Sequence, residues 1–139
     1  NYRDPARTTA APRSRGELPL SFLAGALAPE AFLDDVAARA HDYAGFNLLV
    51  GDRHSLWYFT NNGLTQPMQL PAGVYGLSNA RLDTPWPKVE LGKSRLVSHL
   101  TSRQRLSHDA LLDVVRDRQL ADPGALRAQC LDSAMDPLL

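Results

Sequence analysis

Gly45-Phe46-Asn47-Leu48-Leu49-Val50-Gly51-Asp52-Arg53-His54-Ser55-Leu56-Trp57-Tyr58-Phe59 is the stretch whose reading decides the fold. Phe46, Leu48 and Val50 alternate with Asn47 and Leu49, the period of a strand with one buried face. Gly51 to His54 turn the chain into Leu56, Trp57, Tyr58 and Phe59, so the segment reads as a β-hairpin. The pair must be antiparallel, because parallel neighbours need a crossover of about a dozen residues or more. Asn61, Asn62 and Gly63 form the next turn signal, since Asn and Gly tolerate positive φ. Pro71 to Gly73 form another, and Val74, Tyr75 and Leu77 then predict a further strand ending near Asn79.

Helical patterns flank the hairpin on both sides. Upstream, Asn1 to Arg13 carry Pro5 and Pro12 and read as a loop, apart from a strand end at Tyr2. Ser14 and Glu17 have capping-box spacing, and Leu18, Phe22 and Leu23 supply the apolar stripe of a short helix, with Pro19 tolerated in its first turns. From Pro29 a second helix places Phe32, Leu33, Val36, Ala37 and Ala40 on one face, with Asp34, Asp35 and Arg39 outside. Downstream, Pro85 and Pro87 open a helix to about Ser102 containing Val89, Leu96, Val97 and Leu100. Ser107 caps another with Leu111, Leu112, Val114 and Val115. The order ααβββαα predicts an α+β fold, an antiparallel sheet flanked by helices. Residues 1–139 read as a single incomplete domain, and Ala121 to Leu139, with Pro123, Gly124 and Pro137, as its weakly structured tail.

Composition agrees with a globular domain: 139 residues, 44% apolar and 22% charged. Fifteen basic residues balance fifteen acidic ones, so no net field favours nucleic acid or an anionic membrane. No nucleic-acid partner is expected. No apolar run is long enough to span a bilayer. The single cysteine, Cys130, excludes an internal disulfide framework and fits a reducing compartment, so a cytoplasmic location is expected. Thirteen Arg against two Lys, Lys88 and Lys93, together with abundant Ala, suggest the codon usage of a GC-rich bacterial genome.

Several residues have side chains suited to a site. Gly76-Leu77-Ser78-Asn79-Ala80 approaches a nucleophile elbow with Ser78 at the exposed turn, although Asp83 to Pro87 stand where the helix of an elbow should begin. His41, His54, His99 and His108 lack metal-ligand spacing, so no metal site is read. A single His or Cys can still ligate haem iron. Trp86, between Pro85 and Pro87, is placed to cover a pocket beside the strand ending at Asn79 or to pack on the following helix. Asn1 and Asn79 lie near strand ends, where an amide can hold a carboxylate or an oxyanion.

Asn1-Tyr2-Arg3, Ser14-Arg15-Gly16-Glu17-Leu18, Gly45-Phe46-Asn47-Leu48, Tyr75 to Ala80 and Asp83-Thr84-Pro85-Trp86-Pro87-Lys88 occur in order. Together they resemble the transport and Golgi organization protein 2 family, also called the NRDE family. The resemblance runs in order from Asn1 to about Leu100. Family members are about twice as long and begin with Met-Cys and an Asn-Arg-Asp-Glu motif, so the sequence is expected to be the middle of the family domain.

The resemblance implies a partial αββα sandwich similar to N-terminal nucleophile hydrolases. In it Asn79 matches an active-site Asn and Asn1 an oxyanion-hole Asn. Arg3, Asn47, Tyr75, Ser78 and Trp86, which stand in the matched blocks, are the candidate ligand-binding residues. The resemblance, with the aromatic and amide residues near Asn79, also implies a small hydrophobic or carboxylate-bearing ligand as partner, such as haem or a lipid acyl compound; no resident cofactor is read, and haem enters as a ligand. The alternative is an amide hydrolase whose N-terminal cysteine is missing here. Strands absent from a two-sheet sandwich leave edges and apolar faces uncovered, so self-association is also expected.

Overall fold

The computed structural model describes residues 11–102 and 107–116. The chain falls into two compact units, Asn1–Gly73 and Val74–Leu139. The first contains α1 (Glu17–Ala24), α2 (Pro29–Ala38), a short 3-10 helix (Ala40–Asp42), and strands β1 (Asn47–Gly51), β2 (Leu56–Thr60) and β3 (Met68–Leu70). The second contains α3 (Pro87–Thr101) and α4 (His108–Val115), which pack on each other. The fold is α+β, with an antiparallel sheet in the order β1-β2-β3.

The hairpin forms as its pattern dictates. Leu48 and Val50 are buried while Leu49 between them is 41% exposed, the alternation of a strand with one covered face. Asp52 closes the turn: its Oδ1 accepts from the amides of His54 and Ser55, both at 2.8 Å. Those two N–H donors hold the Asp52 carboxyl below the ordinary aspartate range. β2 is central and pairs Tyr58 with Leu49 on one side and Met68 on the other.

The core of the first unit joins Leu18 of α1 and Phe32, Leu33 and Val36 of α2 to Phe46, Leu48, Val50 and Phe59. Leu33 and Val36 are wholly buried, each contributing roughly 1.5–3 kcal/mol by burial. Tyr43, also buried, carries a polar brace between the helices: its hydroxyl donates to Glu17 and accepts from Arg39, which pairs with Asp35 at 2.8 Å. Burial, and then the bond to Glu17, push the Tyr43 hydroxyl above its ordinary value.

Three expectations need correction. The third strand is Met68–Leu70, not Val74 to Leu77. Met68 to Leu70 pair with Leu56 to Tyr58, and Leu70 is buried. Val74 to Leu77 has strand-like composition, but both backbone groups of Gly76 are taken by Asp83, through Gly76 N–H to Asp83 Oδ1 and Asp83 N–H to Gly76 O, each 2.8 Å. A segment closed on itself in this way cannot ladder at that residue. The capping box also does not form. Ser14 Oγ accepts only a 3.3 Å contact from Gly16 N–H, and the Glu17 carboxylate goes instead to Tyr43 and to Arg13 at 2.6 Å. Leu23 is 78% exposed and outside the α1 stripe.

Phe46 lies one residue before β1, where the ladder has ended. Thr60 Oγ1 donates to its carbonyl at 2.6 Å and Asn61 Oδ1 accepts from its amide at 2.9 Å. Side chains therefore finish the sheet that backbone began.

Candidate functional site

Four of the candidate residues, Tyr75, Ser78, Asn79 and Trp86, fall in the segment that leads into α3 in the second unit. Tyr75, Ser78 and Trp86 are half-buried, and Asn79 is exposed. Asn47 lies in the first unit on β1, where its Oδ1 accepts from the Tyr58 hydroxyl at 2.6 Å. Asn1 and Arg3 lie outside the described residues, as do Cys130 and the Ala121 to Leu139 tail.

The segment is shaped by Asp83. Its backbone has φ 56°, a left-handed conformation that Asp tolerates better than most residues. From there the side chain meets Gly76 N–H at 2.8 Å and Lys93 Nζ of α3 at 2.9 Å. Burial pushes the Asp83 carboxyl up, but Lys93 and Gly76 N–H outweigh it and hold the group below the ordinary aspartate range. Its bond to Asp83, against a smaller burial cost, raises Lys93 above the ordinary lysine value. Gly76 is seated directly on α3, since a Cβ there would fall inside the Val89 Cγ1 atom. That close approach requires glycine.

Trp86 ends the segment as the extended N-cap of α3. Its amide donates to Thr84 O at 2.7 Å, and its carbonyl accepts from the amides of Val89 and Glu90 at 2.8 and 3.0 Å. The indole Nε1 is buried and has no hydrogen-bond partner among the described residues. A ligand carbonyl or carboxylate oxygen would satisfy that donor.

Ser78 does not sit on a nucleophile elbow. A turn at Arg81 to Thr84 follows it, with Thr84 Oγ1 donating to Arg81 O at 2.8 Å, and α3 starts only at Pro87. The histidines are dispersed: His41 contacts Asp42 at 3.3 Å, His54 lies in the hairpin turn, His99 in the last turn of α3 and His108 at the start of α4. No group of three His, Cys, Asp or Glu with metal-site spacing occurs among the described residues. An open recess of about 280 Å³ in the first unit is lined by Ala37, His41, Phe59, Asn61 and Leu64 among others. Asn61 is already engaged by Phe46, Ala40 and Tyr43, which leaves that recess little to orient a ligand.

Sequence reasoning missed Asp83, Lys93 and Asn61. Asn61 was expected to supply turn conformation, whereas positive φ occurs next to it only at Gly63 (87°). No local spacing signals Asp83 and Lys93, which meet only because the turn after Arg81 brings the carboxylate back over α3.

A family model for Transport and Golgi organisation 2 matches residues 1–137. The chain belongs to that family. The match extends past Leu100, where the resemblance carried by the sequence motifs ends. The Transport and Golgi organization protein 2 homolog of Bos taurus is 36% identical over 140 residues, covering 93% of this chain and 50% of the relative. The Homo sapiens homolog is 37% identical over 134 residues, covering 88% of this chain and 48% of the relative. The Mus musculus relative is similar, at 36% over 134 residues. The chain thus spans about half the length of these curated relatives. Among the described residues no helix is long and apolar enough to cross a membrane.

Proposed function

We propose that the protein binds and hands on a small apolar ligand bearing a carboxylate or carbonyl oxygen, such as haem or a lipid acyl compound, at the Tyr75 to Trp86 segment. The carrying observation is the buried, unpartnered indole N–H of Trp86. Leaving such a donor unsatisfied costs about 1–3 kcal/mol, and a ligand oxygen would remove that cost. Tyr75 and the Trp86 ring supply apolar surface, and the exposed Asn79 amide is a second donor for the same kind of oxygen. The relatives are named for transport, which accords with a carrier role.

The test is titration of the intact natural gene product with haemin and, separately, with palmitate. Saturable binding is expected, weakened about fivefold to tenfold in Trp86→Phe, which keeps the ring surface and removes the donor. Asn79→Ala is expected to weaken it by less. Absence of saturable binding for both probes overturns the reading. In that event a cysteine-directed acylating probe on the same product tests the hydrolase alternative, which predicts labelling at its N-terminal residue.

A further inference from the structure

Gly76 and Lys93, from two separate points of the second unit, converge on the Asp83 carboxylate. Asp83 Oδ1 accepts from both Gly76 N–H and Lys93 Nζ, at 2.8 and 2.9 Å. Asp83 N–H returns a 2.8 Å bond to Gly76 O. The stretch between Gly76 and Asp83 is therefore a closed loop, and Ser78 and Asn79 lie on it. Gly76 fixes one end of that loop against Val89, and the Lys93 stem runs beside the same glycine, Cδ being 3.4 Å from where a Cβ would stand.

α3 does not need this ion pair for its own formation. Lys93 lies inside a helix that starts with Pro87, and an unpaired lysine there would be solvated at little cost. Asp83, by contrast, adopts a φ of 56° that sterics disfavour for a residue with a Cβ. An unfavourable backbone angle held by two bonds from one carboxylate marks a constraint on the loop rather than on the helix.

We infer that Asp83 and Lys93 are positioning residues that latch the Ser78-Asn79 loop onto α3 and so fix the placement of Asn79 relative to Trp86. The effect on ligand affinity rests on the binding function proposed above; the latch itself does not. Asp83 and Lys93 are engaged with each other and with Gly76, so their contribution is to preorganise the groups that would meet the ligand.

The experiment is amide exchange at Gly76 and Asp83 in the intact gene product, combined with haemin titration, for Asp83→Ala, Asp83→Asn and Lys93→Met. Asp83→Ala removes both bonds and is expected to speed Gly76 exchange at least about tenfold, with α3 amides unchanged. Asp83→Asn keeps an acceptor for Gly76 and tolerates the backbone angle, so it should recover most of the protection. Lys93→Met preserves helix propensity and should raise exchange by a smaller factor, which keeps the test available if Asp83→Ala does not fold. Haemin affinity should fall in the same order as protection.

Unchanged Gly76 exchange in Asp83→Ala and Lys93→Met overturns the latch. Faster exchange with unchanged haemin affinity overturns the positioning role. If the unmutated protein binds neither haemin nor palmitate, the ligand reading fails by itself, and the exchange result alone decides whether the latch exists.

Discussion

Replacing Asn61 with alanine should destabilise the first unit more than its half-buried position suggests. Asn61 holds four backbone groups: Oδ1 accepts from Phe46 N–H at 2.9 Å, and Nδ2 faces the carbonyls of Ala40, Tyr43 and Ala44 at 3.1, 3.2 and 3.4 Å. An amide nitrogen has only two protons, so the longest contact counts for little. Phe46 is buried, and leaving its N–H without an acceptor costs about 1–3 kcal/mol. The two better carbonyl bonds add about 0.5 kcal/mol each, because those carbonyls can recruit water. The expected loss is about 3 kcal/mol.

Thr60→Val provides the comparison. It is nearly isosteric and removes the 2.6 Å bond to the Phe46 carbonyl together with the longer 3.3 Å bond accepted from Asn62 N–H, for an expected loss of about 1–1.5 kcal/mol. Thr60 and Asn61 hold the two sides of one residue, so the double variant should depart from additivity by about 0.5 kcal/mol or more. Urea denaturation followed by Trp57 fluorescence in a Trp86→Phe background measures all three. A loss below about 1 kcal/mol for Asn61→Ala, or a larger loss for Thr60→Val, would refute the reasoning from unsatisfied backbone.

Other outcomes follow from the same geometry. Leu33→Ala, at a position with no exposure, should cost about 2–5 kcal/mol in the same denaturation assay. Gly76→Ala should loosen the second unit, because the added methyl overlaps Val89; the expected cost is about 1–3 kcal/mol, read as lost exchange protection along α3. The latch should also show a defined pH window. Asp83 is held below its ordinary value, so its contribution is present above the normal aspartate range and lost as pH falls through the lower folded value. Lys93 is raised, so its contribution is present below the normal lysine value and lost as pH rises past the higher one. Gly76 protection, corrected for intrinsic exchange, should be flat at neutral pH and decline only below about pH 4 and above about pH 10.5. A drop between about pH 6 and 8 would implicate another group, since carboxylates and lysines do not ordinarily titrate there.

The fold was legible where local chemistry and tertiary packing agreed. Pro29, Pro87 and Ser107 mark helix starts because a missing N–H or a capping hydroxyl suits those positions in any context, and all three helices begin there or one residue later. The hairpin was legible because alternation at Leu48 to Val50 coincides with a turn that Asp52 can close. Glu17 was misread because its partner, Tyr43, is distant in sequence, and because α1 starts at Glu17 itself with Gly16 as N-cap, so Ser14 does not stand at the cap position. Val74 to Leu77 was misread because strand composition says nothing about whether a partner edge exists. At the candidate site, Asn79 and Trp86 stood out by residue type. Asp83 and Lys93 did not, since their meeting depends on one left-handed backbone angle.

The most direct test of the central claim, that the Tyr75 to Trp86 segment receives an apolar ligand through the Trp86 indole, is the indole N–H resonance of Trp86 in the intact gene product during palmitate titration. The account predicts a saturable downfield shift at Trp86 as the donor gains an oxygen partner, absent from Trp57. Saturable palmitate binding with an unmoved Trp86 resonance, or no saturable binding of either palmitate or haemin, would contradict it.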